Sequence, residues 1–254
     1  VLVGLSLGTM QQERWGREEN WMQEWSKENG VEMIVQTADD DAQKQITQCE
    51  DLTTRGIDVL IILAKDNIAS QPIVKACEES DIPLIMYSHT IMDVEYDQLY
   101  SIRGDSVECG ELMLTMVLDA MEPPRKGNII YLKGSQDDLN THLYVEGQEP
   151  ILDPLVASGD INIIYENFIA DWSSDNAYDQ AEAALLVAST EGLEVDGFVA
   201  PNDNTAGACI EAMRAAGLDP HDIPIGGQDA ELAALQRIVE GTQTMTVYKP
   251  LSEL

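Results

Sequence analysis

Short apolar runs alternate with amphipathic stretches along nearly the whole chain. The apolar runs are rich in Val, Ile and Leu, which is typical of strands buried in a parallel sheet. We predict nine strands, at residues 1–7, 31–37, 59–63, 82–87, 128–132, 161–165, 197–200, 223–225 and 244–247. The amphipathic stretches carry apolar residues at helical spacing. We predict eight helices, at residues 11–29, 41–54, 69–80, 107–121, 138–157, 175–190, 204–216 and 230–240.

The predicted strands and helices follow one another in βα order. This order predicts an α/β fold with parallel sheets, because parallel strands need helical crossovers between them. Two prolines and a glycine within residues 121–127 end one helix, and a second βα series begins after them. Residues 91–105 lack a helical pattern, so we predict that the chain crosses between two lobes near Gly104.

The charge balance narrows the range of ligands. The 254 residues include 46 acidic and 14 basic side chains, which gives a formal net charge of −32. A surface this acidic repels nucleic acid and anionic membranes, so we predict no nucleic-acid partner and favour a neutral or cationic ligand. We read the acidity mainly as a source of solubility and of repulsion between copies.

Targeting signals are not evident in the sequence. No apolar run approaches the roughly 20 residues that span a bilayer, and no basic leader precedes Val1. We therefore expect either a cytosolic protein or one whose export signal has been removed.

The sequence gives little support for a metal-binding or a nucleotide-binding site. The cysteines lie far apart without CxxC spacing, and we expect them to be small core residues, with a disulfide or a metal site as the alternative. They are Cys49, Cys77, Cys109 and Cys209. The histidines are scattered, and both the GxGxxG pattern and the P-loop lysine are absent. We predict no metal and no cofactor.

Most of the unusual polar and aromatic residues follow predicted strands. Ligands of open α/β sheets bind at the carboxyl ends of strands, so these positions are the candidate site. The candidates are Arg14, Trp15, Ser88, His89, Asp138, Asn140, Trp172, Asn202, Asp229 and Lys249. They combine aromatic faces, carboxylates, amides and cations. A sugar needs this combination, because it offers C–H patches for stacking and hydroxyls that both donate and accept.

Simpler interpretations of several candidates stay open. Trp15 could be a partly buried tryptophan beside a surface Arg14. Asp138 and Asn140 could cap the helix that follows them. His89 could be a general base, a hydrogen-bond donor to a ligand, or an ordinary loop residue. No GxSxG motif surrounds any serine, so a hydrolase triad has little support.

Seven segments resemble the type I periplasmic sugar-binding proteins, and among them the xylose-binding and multiple-sugar-binding group. The most distinctive is the run GTQTMTVYKP at residues 241–250. The others are ERW at 13–15, QTAD at 36–39, RGIDVLII at 55–62, GEL at 110–112, residues 202–207 and GQDA at 227–230. Together they span nearly the whole chain.

This resemblance implies a fold and a function. The fold would be two Rossmann-like lobes joined by a hinge, with residues 1–104 and 249–254 in the N-terminal lobe and 105–248 in the C-terminal lobe. The protein would capture xylose or a related aldose between the lobes and deliver it to the permease subunits of an ABC importer. It would be exported, to the periplasm or the cell surface, with a lipid anchor left open. An alternative partner is a membrane sensor.

The resemblance also implies roles for the candidate residues. The residues that match the family's hydrogen-bonding ligands of the sugar are Arg14, Asp138, Asn140, Asn202, Asp229 and Lys249. Trp15 and Trp172 match the stacking aromatics. The family usually has Asp-Arg where this chain has Ser88 and His89, so another sugar or a changed anomer becomes an alternative to xylose. The family also continues for several tens of residues beyond Tyr-Lys-Pro, so we expect a fragment, with a natural short form as the alternative.

A glycoside-active enzyme and the effector domain of a transcription repressor are two alternative functions. A glycoside-active enzyme could use Asp138 and Asp229 as acid and nucleophile if they lay about 5–5.5 Å apart. The effector domain of a transcription repressor shares this fold, but no helix-turn-helix precedes Val1 and the charge is wrong for DNA. We expect a binding protein without catalytic residues.

Overall fold

The structure is a computed structural model that describes residues 1–249, and these form two α/β units. The first unit comprises Val1–Gly104 and Asp137–Leu139. The second comprises Asp105–Gln136 and continues from Asn140.

The first unit is built on a five-stranded parallel sheet with the order β2-β1-β3-β4-β5. Its elements are β1 (Leu2–Leu7), α1 (Glu13–Glu28), β2 (Glu32–Thr37), α2 (Ala42–Thr54), β3 (Val59–Leu63), α3 (Gln71–Glu79), β4 (Leu84–Tyr87) and β5 (Leu99–Ile102). Successive side chains of β3 pack on opposite faces of this sheet. Leu60 and Ile62 join a core cluster with residues of α2 and α3, whereas Leu63 packs with Trp15 of α1. Both faces of the sheet therefore carry helices.

The second unit repeats the design with the sheet order β10-β9-β8-β6-β7, again parallel. Its first elements are α4 (Ser106–Ala120), β6 (Gly127–Lys133), α5 (Leu139–Ser158), β7 (Ile161–Phe168) and a 3-10 turn at Ala170–Trp172. They are followed by α6 (Ser174–Glu191), β8 (Gly197–Val199), α7 (Asp203–Ala215), β9 (Ile225–Gln228), α8 (Leu232–Glu240) and β10 (Met245–Val247).

The same alternation divides the core of the second unit. Ile129 of β6 packs in a cluster with Leu114 and Leu118 of α4. Its neighbour Ile130 packs in another cluster with Ala184 of α6 and Ile210 of α7. The doubly covered parallel sheet explains why the strands appear in the sequence as continuous apolar runs rather than as alternating patterns.

The predicted α/β fold with two parallel sheets is confirmed, and all eight predicted helices are present within the described residues. One strand was missed. Residues 99–102 were assigned to a crossing segment, but they form β5 and pair with β4 without an intervening helix. Tyr100 in this strand is 55% exposed, so the strand lacks the apolar pattern on which the prediction relied. The strand predicted at 223–225 begins later, at Ile225.

The division between the units falls after Gly104. Two details differ from the predicted lobes. Residues 137–139 cluster with the first unit, although the sequence assigned them to the C-terminal lobe. Lys249 belongs to the second unit, where its Nζ atom binds Asp229 and Gln228, and residues 250–254 lie outside the described residues.

The four cysteines are buried and unbonded to one another, as expected of core residues. Burial raises the pKa of the Cys49, Cys77 and Cys209 thiols to about 12, which keeps them protonated and unreactive. Across residues 1–249, no helix has both the length and the apolar character that a membrane crossing requires.

We expect the start of α2 to be stabilised by its N-cap. The Asp41 side chain accepts a hydrogen bond of 2.9 Å from the backbone N–H of Lys44. Asp41→Ala should lower the free energy of unfolding by about 1 kcal/mol, and Asp41→Asn, which keeps the acceptor, by only a few tenths. Urea unfolding followed by circular dichroism measures both. Equal losses in the two variants would show that the charge rather than the cap stabilises the helix.

Candidate functional site

The predicted site residues lie beyond the carboxyl ends of strands in both units. In the first unit, Arg14 and Trp15 follow β1, and Ser88 and His89 follow β4. In the second unit, Asn140 follows β6, Trp172 follows β7, Asn202 follows β8, Asp229 follows β9 and Lys249 follows β10. Asp138 also follows β6 but clusters with the first unit. Because the strands of each sheet are parallel, each set gathers at one sheet edge.

Arg14 and Trp15 are buried at the start of α1, each only 4% exposed. The Arg14 guanidinium carbon lies 4.2 Å from the centroid of the Trp15 ring. The indole Nε1 of Trp15 donates to the side-chain oxygen of Gln12. The alternative of a surface Arg14 is therefore wrong: the cation is stacked and buried.

Glu18 compensates the buried charge of Arg14. One carboxylate oxygen of Glu18 accepts a hydrogen bond of 2.8 Å from Arg14 Nε, and the other accepts one of 2.7 Å from the hydroxyl of Tyr87. Burial and the adjacent Glu18 carboxylate raise the pKa of Tyr87, so its hydroxyl stays a donor. This network connects α1 to the end of β4.

Ser88 and His89 follow directly on this network. Ser88 has a positive φ of 62°, an uncommon conformation for a residue with a side chain. The Nδ1 atom of His89 lies 2.9 Å from the carbonyl oxygen of Ala64. A carbonyl only accepts, so Nδ1 must carry the proton. The other nitrogen, Nε2, lies 3.4 Å from an oxygen of Asp138 within the same unit.

The His89 ring also packs edge-on against Trp15, with ring centroids 5.7 Å apart. The first unit thus brings together Arg14, Trp15, His89 and Asp138. Its chemistry is that of a stacking face bordered by donors and one carboxylate.

Trp172 provides the aromatic face of the second unit. Its ring lies edge-on to Tyr144, with centroids 6.3 Å apart. Gly134 leaves room for it, because a β-carbon at Gly134 would overlap the indole ring. Asp171 and Trp172 have positive φ angles of 57° and 54°. Such strained backbone clusters at functional sites, where surrounding structure holds it in place.

The two amide candidates bind neighbouring residues. Asn140 Oδ1 accepts a hydrogen bond of 2.9 Å from the Ser106 hydroxyl. Asn202 is the N-cap of α7: its Oδ1 accepts from the backbone N–H of Thr205, whose hydroxyl in turn bonds to the Asn202 backbone. Asn202 thus forms a capping box with Thr205, and the cap fixes the orientation of this amide.

Asp229 and Lys249 form an ion pair in the second unit. Lys249 Nζ lies 2.8 Å from Asp229 Oδ1, and it also donates to Gln228 Oε1. The same Gln228 oxygen accepts a hydrogen bond of 3.2 Å from the Tyr144 hydroxyl. Gln228 therefore connects the ion pair of Asp229 and Lys249 to Tyr144, which packs against Trp172.

Asp203 stabilises the strand ends that carry Asp229. Its carboxylate accepts hydrogen bonds from the backbone N–H of Glu231, from the Thr246 hydroxyl and from the Gln243 amide. Because the group is buried, its pKa rises from 3.8 to about 6 despite these hydrogen bonds. Asp203 is not one of the predicted ligand residues, but its hydrogen bonds stabilise the segments next to Asp229.

Comparison with known proteins agrees with this arrangement. Residues 3–254 match the family described as periplasmic binding protein domain. The chain is 34% identical over 252 residues to the D-xylose-binding periplasmic protein of Haemophilus influenzae, covering 99% of this chain and 73% of that protein. It is also 34% identical to the D-xylose-binding periplasmic protein of Escherichia coli, covering 74% of it.

The chain is a type I periplasmic sugar-binding protein. A crystal structure of a carbohydrate transporter solute-binding protein from Chloroflexus aurantiacus, in complex with D-glucose, shares its fold with a TM-score of 0.87 at 26% identity. That match covers 99% of this chain and 79% of the other. The predicted family is confirmed.

Membership of this family of solute-binding proteins shows that the protein is not an enzyme, and the glycoside-enzyme alternative is set aside. The repressor alternative has no support from these relatives. Among the described residues of this sugar-binding protein, no group of three or more His, Cys, Asp or Glu side chains is placed to hold a metal ion.

Sequence reasoning missed the residues that hold the candidates in place, namely Glu18, Tyr87, Tyr144, Gln228 and Asp203. One of them carried a usable signal. Glu18 lies four residues after Arg14, one helical turn away, and that spacing predicts contact. The partners of Tyr144 and Asp203 lie 84 and up to 43 residues away in sequence, so the fold had to be known first.

Proposed function

We propose that this protein binds a monosaccharide, xylose or a related aldose, outside the cytoplasm and delivers it to the permease subunits of an ABC importer. Both units contribute side chains to sugar binding, with Trp15 and Trp172 stacking on the sugar ring. Arg14, Asp138, Asn140, Asn202, Asp229 and Lys249 hydrogen bond to the hydroxyls.

One observation carries this proposal. Each unit places a tryptophan beside buried polar groups at the carboxyl edge of its sheet, and Arg14, Asn140, Asn202 and Asp229 are all no more than 6% exposed. Protein partners hold these groups in fixed positions at the carboxyl ends of the strands, beside the indole rings. A sugar matches this combination, because its hydroxyls donate and accept hydrogen bonds and its apolar C–H patches stack on indole faces.

The relatives support the ligand class. Two of them are named for D-xylose, and the Chloroflexus aurantiacus protein was solved with D-glucose. Ser88 and His89 replace the Asp-Arg pair expected from the resemblance, which exchanges a fixed carboxylate and cation for shorter groups. We therefore propose that specificity extends to an aldose or anomer other than that of the xylose-binding relatives.

A thermal-shift screen tests the proposal directly. The panel is xylose, glucose, galactose, ribose, arabinose, fructose and inositol, and a ligand that binds only the folded state raises the melting temperature. We expect one aldose to give the largest shift. A flat response to every sugar would contradict the proposed function.

The stacking role of Trp172 predicts a loss of affinity. Trp172→Ala should weaken binding of the best sugar by at least about tenfold by calorimetry, because it removes a stacking face worth roughly 1.4 kcal/mol. The matched control is Trp25→Ala, which removes a tryptophan that is 60% exposed on α1 and should leave the affinity unchanged. Equal losses in both variants would point to a general effect on the fold.

A further inference from the structure

Glu18 is a buried carboxylate to which the proposed function assigns no task. It is 2% exposed and lies four residues after Arg14 on α1. Its two oxygens bind Arg14 Nε at 2.8 Å and the Tyr87 hydroxyl at 2.7 Å. It thereby joins the two segments of the first unit that carry the predicted ligand residues, the start of α1 and the end of β4.

The local physics of α1 disfavours this arrangement. Arg14 is the second residue of the helix, where the positive end of the helix dipole repels a cation. The order of the pair is also the weaker one, because an acidic residue preceding a basic one stabilises a helix better than the reverse. Finally, a buried ion pair is often no more stable than apolar residues of the same volume. Helix stability therefore does not account for the pair.

The ion pair between Arg14 and Glu18 is explained instead by its effect on the orientation of the Arg14 side chain. The Glu18 carboxylate holds the guanidinium by Nε, on the inner side of the group, while the Trp15 ring supports its face at 4.2 Å. A guanidinium presents its donors in a fixed planar fork, so anchoring one nitrogen and one face sets the direction of the remaining donors. Tyr87 completes the anchor by fixing Glu18 itself, and Ser88 and His89 follow it directly.

We propose that Glu18 is the positioning residue of the sugar site in the first unit: it sets the direction of the Arg14 guanidinium and ties it to the end of β4 through Tyr87. This inference rests on the proposed function, since the group it positions is proposed to bind sugar. Glu18 itself does not contact the sugar.

A double-mutant cycle on sugar affinity tests this role, with D-xylose and D-glucose as probes. Glu18→Gln keeps the size and one acceptor for Arg14 Nε but removes the charge. We expect it to weaken binding about tenfold in the wild-type background and less than twofold in an Arg14→Met background, because its effect passes through Arg14. The control Glu24→Gln changes the same charge at an exposed position of the same helix and should leave affinity unchanged.

Two results would overturn the inference. One is an unchanged affinity in Glu18→Gln. The other is an equal loss in both backgrounds, which is the signature of a general structural role. If Glu18→Gln does not fold, Tyr87→Phe takes its place, because it removes the hydroxyl that binds Glu18 and also interacts with Arg14. It should weaken binding about threefold, again only when Arg14 is present.

An NMR measurement separates this inference from the proposed function. With no ligand present, the Arg14 Nε–H signal should be protected from exchange in the wild type and less protected in Glu18→Gln, because a neutral amide oxygen is a weaker acceptor than a carboxylate. If neither sugar binds the wild type but the protection depends on Glu18, the proposed function fails while the anchoring of Arg14 stands. An unprotected Nε–H in the wild type overturns the anchoring.

Discussion

Replacing Gly147 by alanine should lower the free energy of unfolding by about 3 kcal/mol. Gly147 lies on α5, and a β-carbon there would overlap the carbonyl oxygen of Val107, next to the start of α4. Gly110 on α4 meets α5 in the same way, because its β-carbon would overlap the backbone of Tyr144. Backbone cannot move aside as a flexible side chain can, so the two helices would have to separate.

A second glycine provides the control for this prediction. Gly16 is also helical, on α1, and the nearest atom to a β-carbon there is Met10 Cε at 3.9 Å. Gly16→Ala should therefore stabilise the protein by about 0.5–1 kcal/mol through helix propensity alone. Urea unfolding at neutral pH measures both variants. An unchanged free energy of unfolding in Gly147→Ala would show that α4 and α5 can move apart without any loss of stability.

The packing of α4 on α5 also affects the proposed sugar site. Tyr144 lies on α5, where its ring packs against Trp172 and its hydroxyl binds Gln228. A shift of α5 away from α4 would move this tyrosine with it. We therefore expect Gly147→Ala to weaken sugar binding as well, even though Gly147 makes no part of the predicted ligand set.

Strands and helices were predictable because their signals are local. The apolar run at β1 and the helical spacing of α3 need no knowledge of distant residues. The missed strand β5 shows the limit of such signals. Leu99 and Ile102 are its partly buried apolar ends, and the exposed Tyr100 and Ser101 between them have no strand pattern. Pairing with β4 rather than local sequence makes this segment a strand.

The candidate site was predictable where residues follow strands, and unpredictable where contacts are distant. Trp172 and Asp229 could be proposed from their positions after apolar runs. The anchoring of Glu18 to Tyr87 spans 69 residues, and the hydrogen bond between Gln243 and Asp203 spans 40. A sequence pattern carries no information about such pairs until the topology places two strand ends at one edge.

Asp203 should make stability fall as pH rises through the range from about 4 to about 6. Its pKa is 3.8 when exposed and about 6 in the folded protein. Below both values the group is protonated in either state and carries no penalty. Between them the folded protein binds a proton that the unfolded chain has lost, so raising the pH favours unfolding. Above pH 6 the penalty is complete, at about 3 kcal/mol.

Comparison with Asp203→Asn isolates this effect from the other acidic residues, which both proteins share. Unfolding in urea at pH 4, 5, 6 and 7 and constant ionic strength gives the difference in stability at each pH. The advantage of the wild type over the variant should be largest at pH 4 and should shrink by about 2.4 kcal/mol by pH 7. A difference that stays constant with pH would show that Asp203 titrates alike in both states.

Asp219 provides a control with the opposite sign. It is exposed and accepts hydrogen bonds from the backbone and side chain of His221, which lowers its pKa. Its contribution to stability, measured against Asp219→Asn, should therefore be present above pH 3.8 and be lost as the pH falls below that value, which is the opposite sign to Asp203.

Hydrogen bonds to the Asp203 carboxylate offset part of the penalty that burial causes. Three donors, from Glu231, Gln243 and Thr246, converge on this carboxylate, and an amide in its place would turn a donor toward at least one of them. The ionised group thus connects the end of β9 to β10 and the start of α7, the segments that carry Asp229, Lys249 and Asn202. Near pH 6, protonation of the Asp203 carboxylate removes the buried charge. The protonated oxygen is then a poorer acceptor, so the three donors compete for fewer acceptor sites. We therefore expect sugar affinity to fall below pH 6 although the folded protein is more stable there.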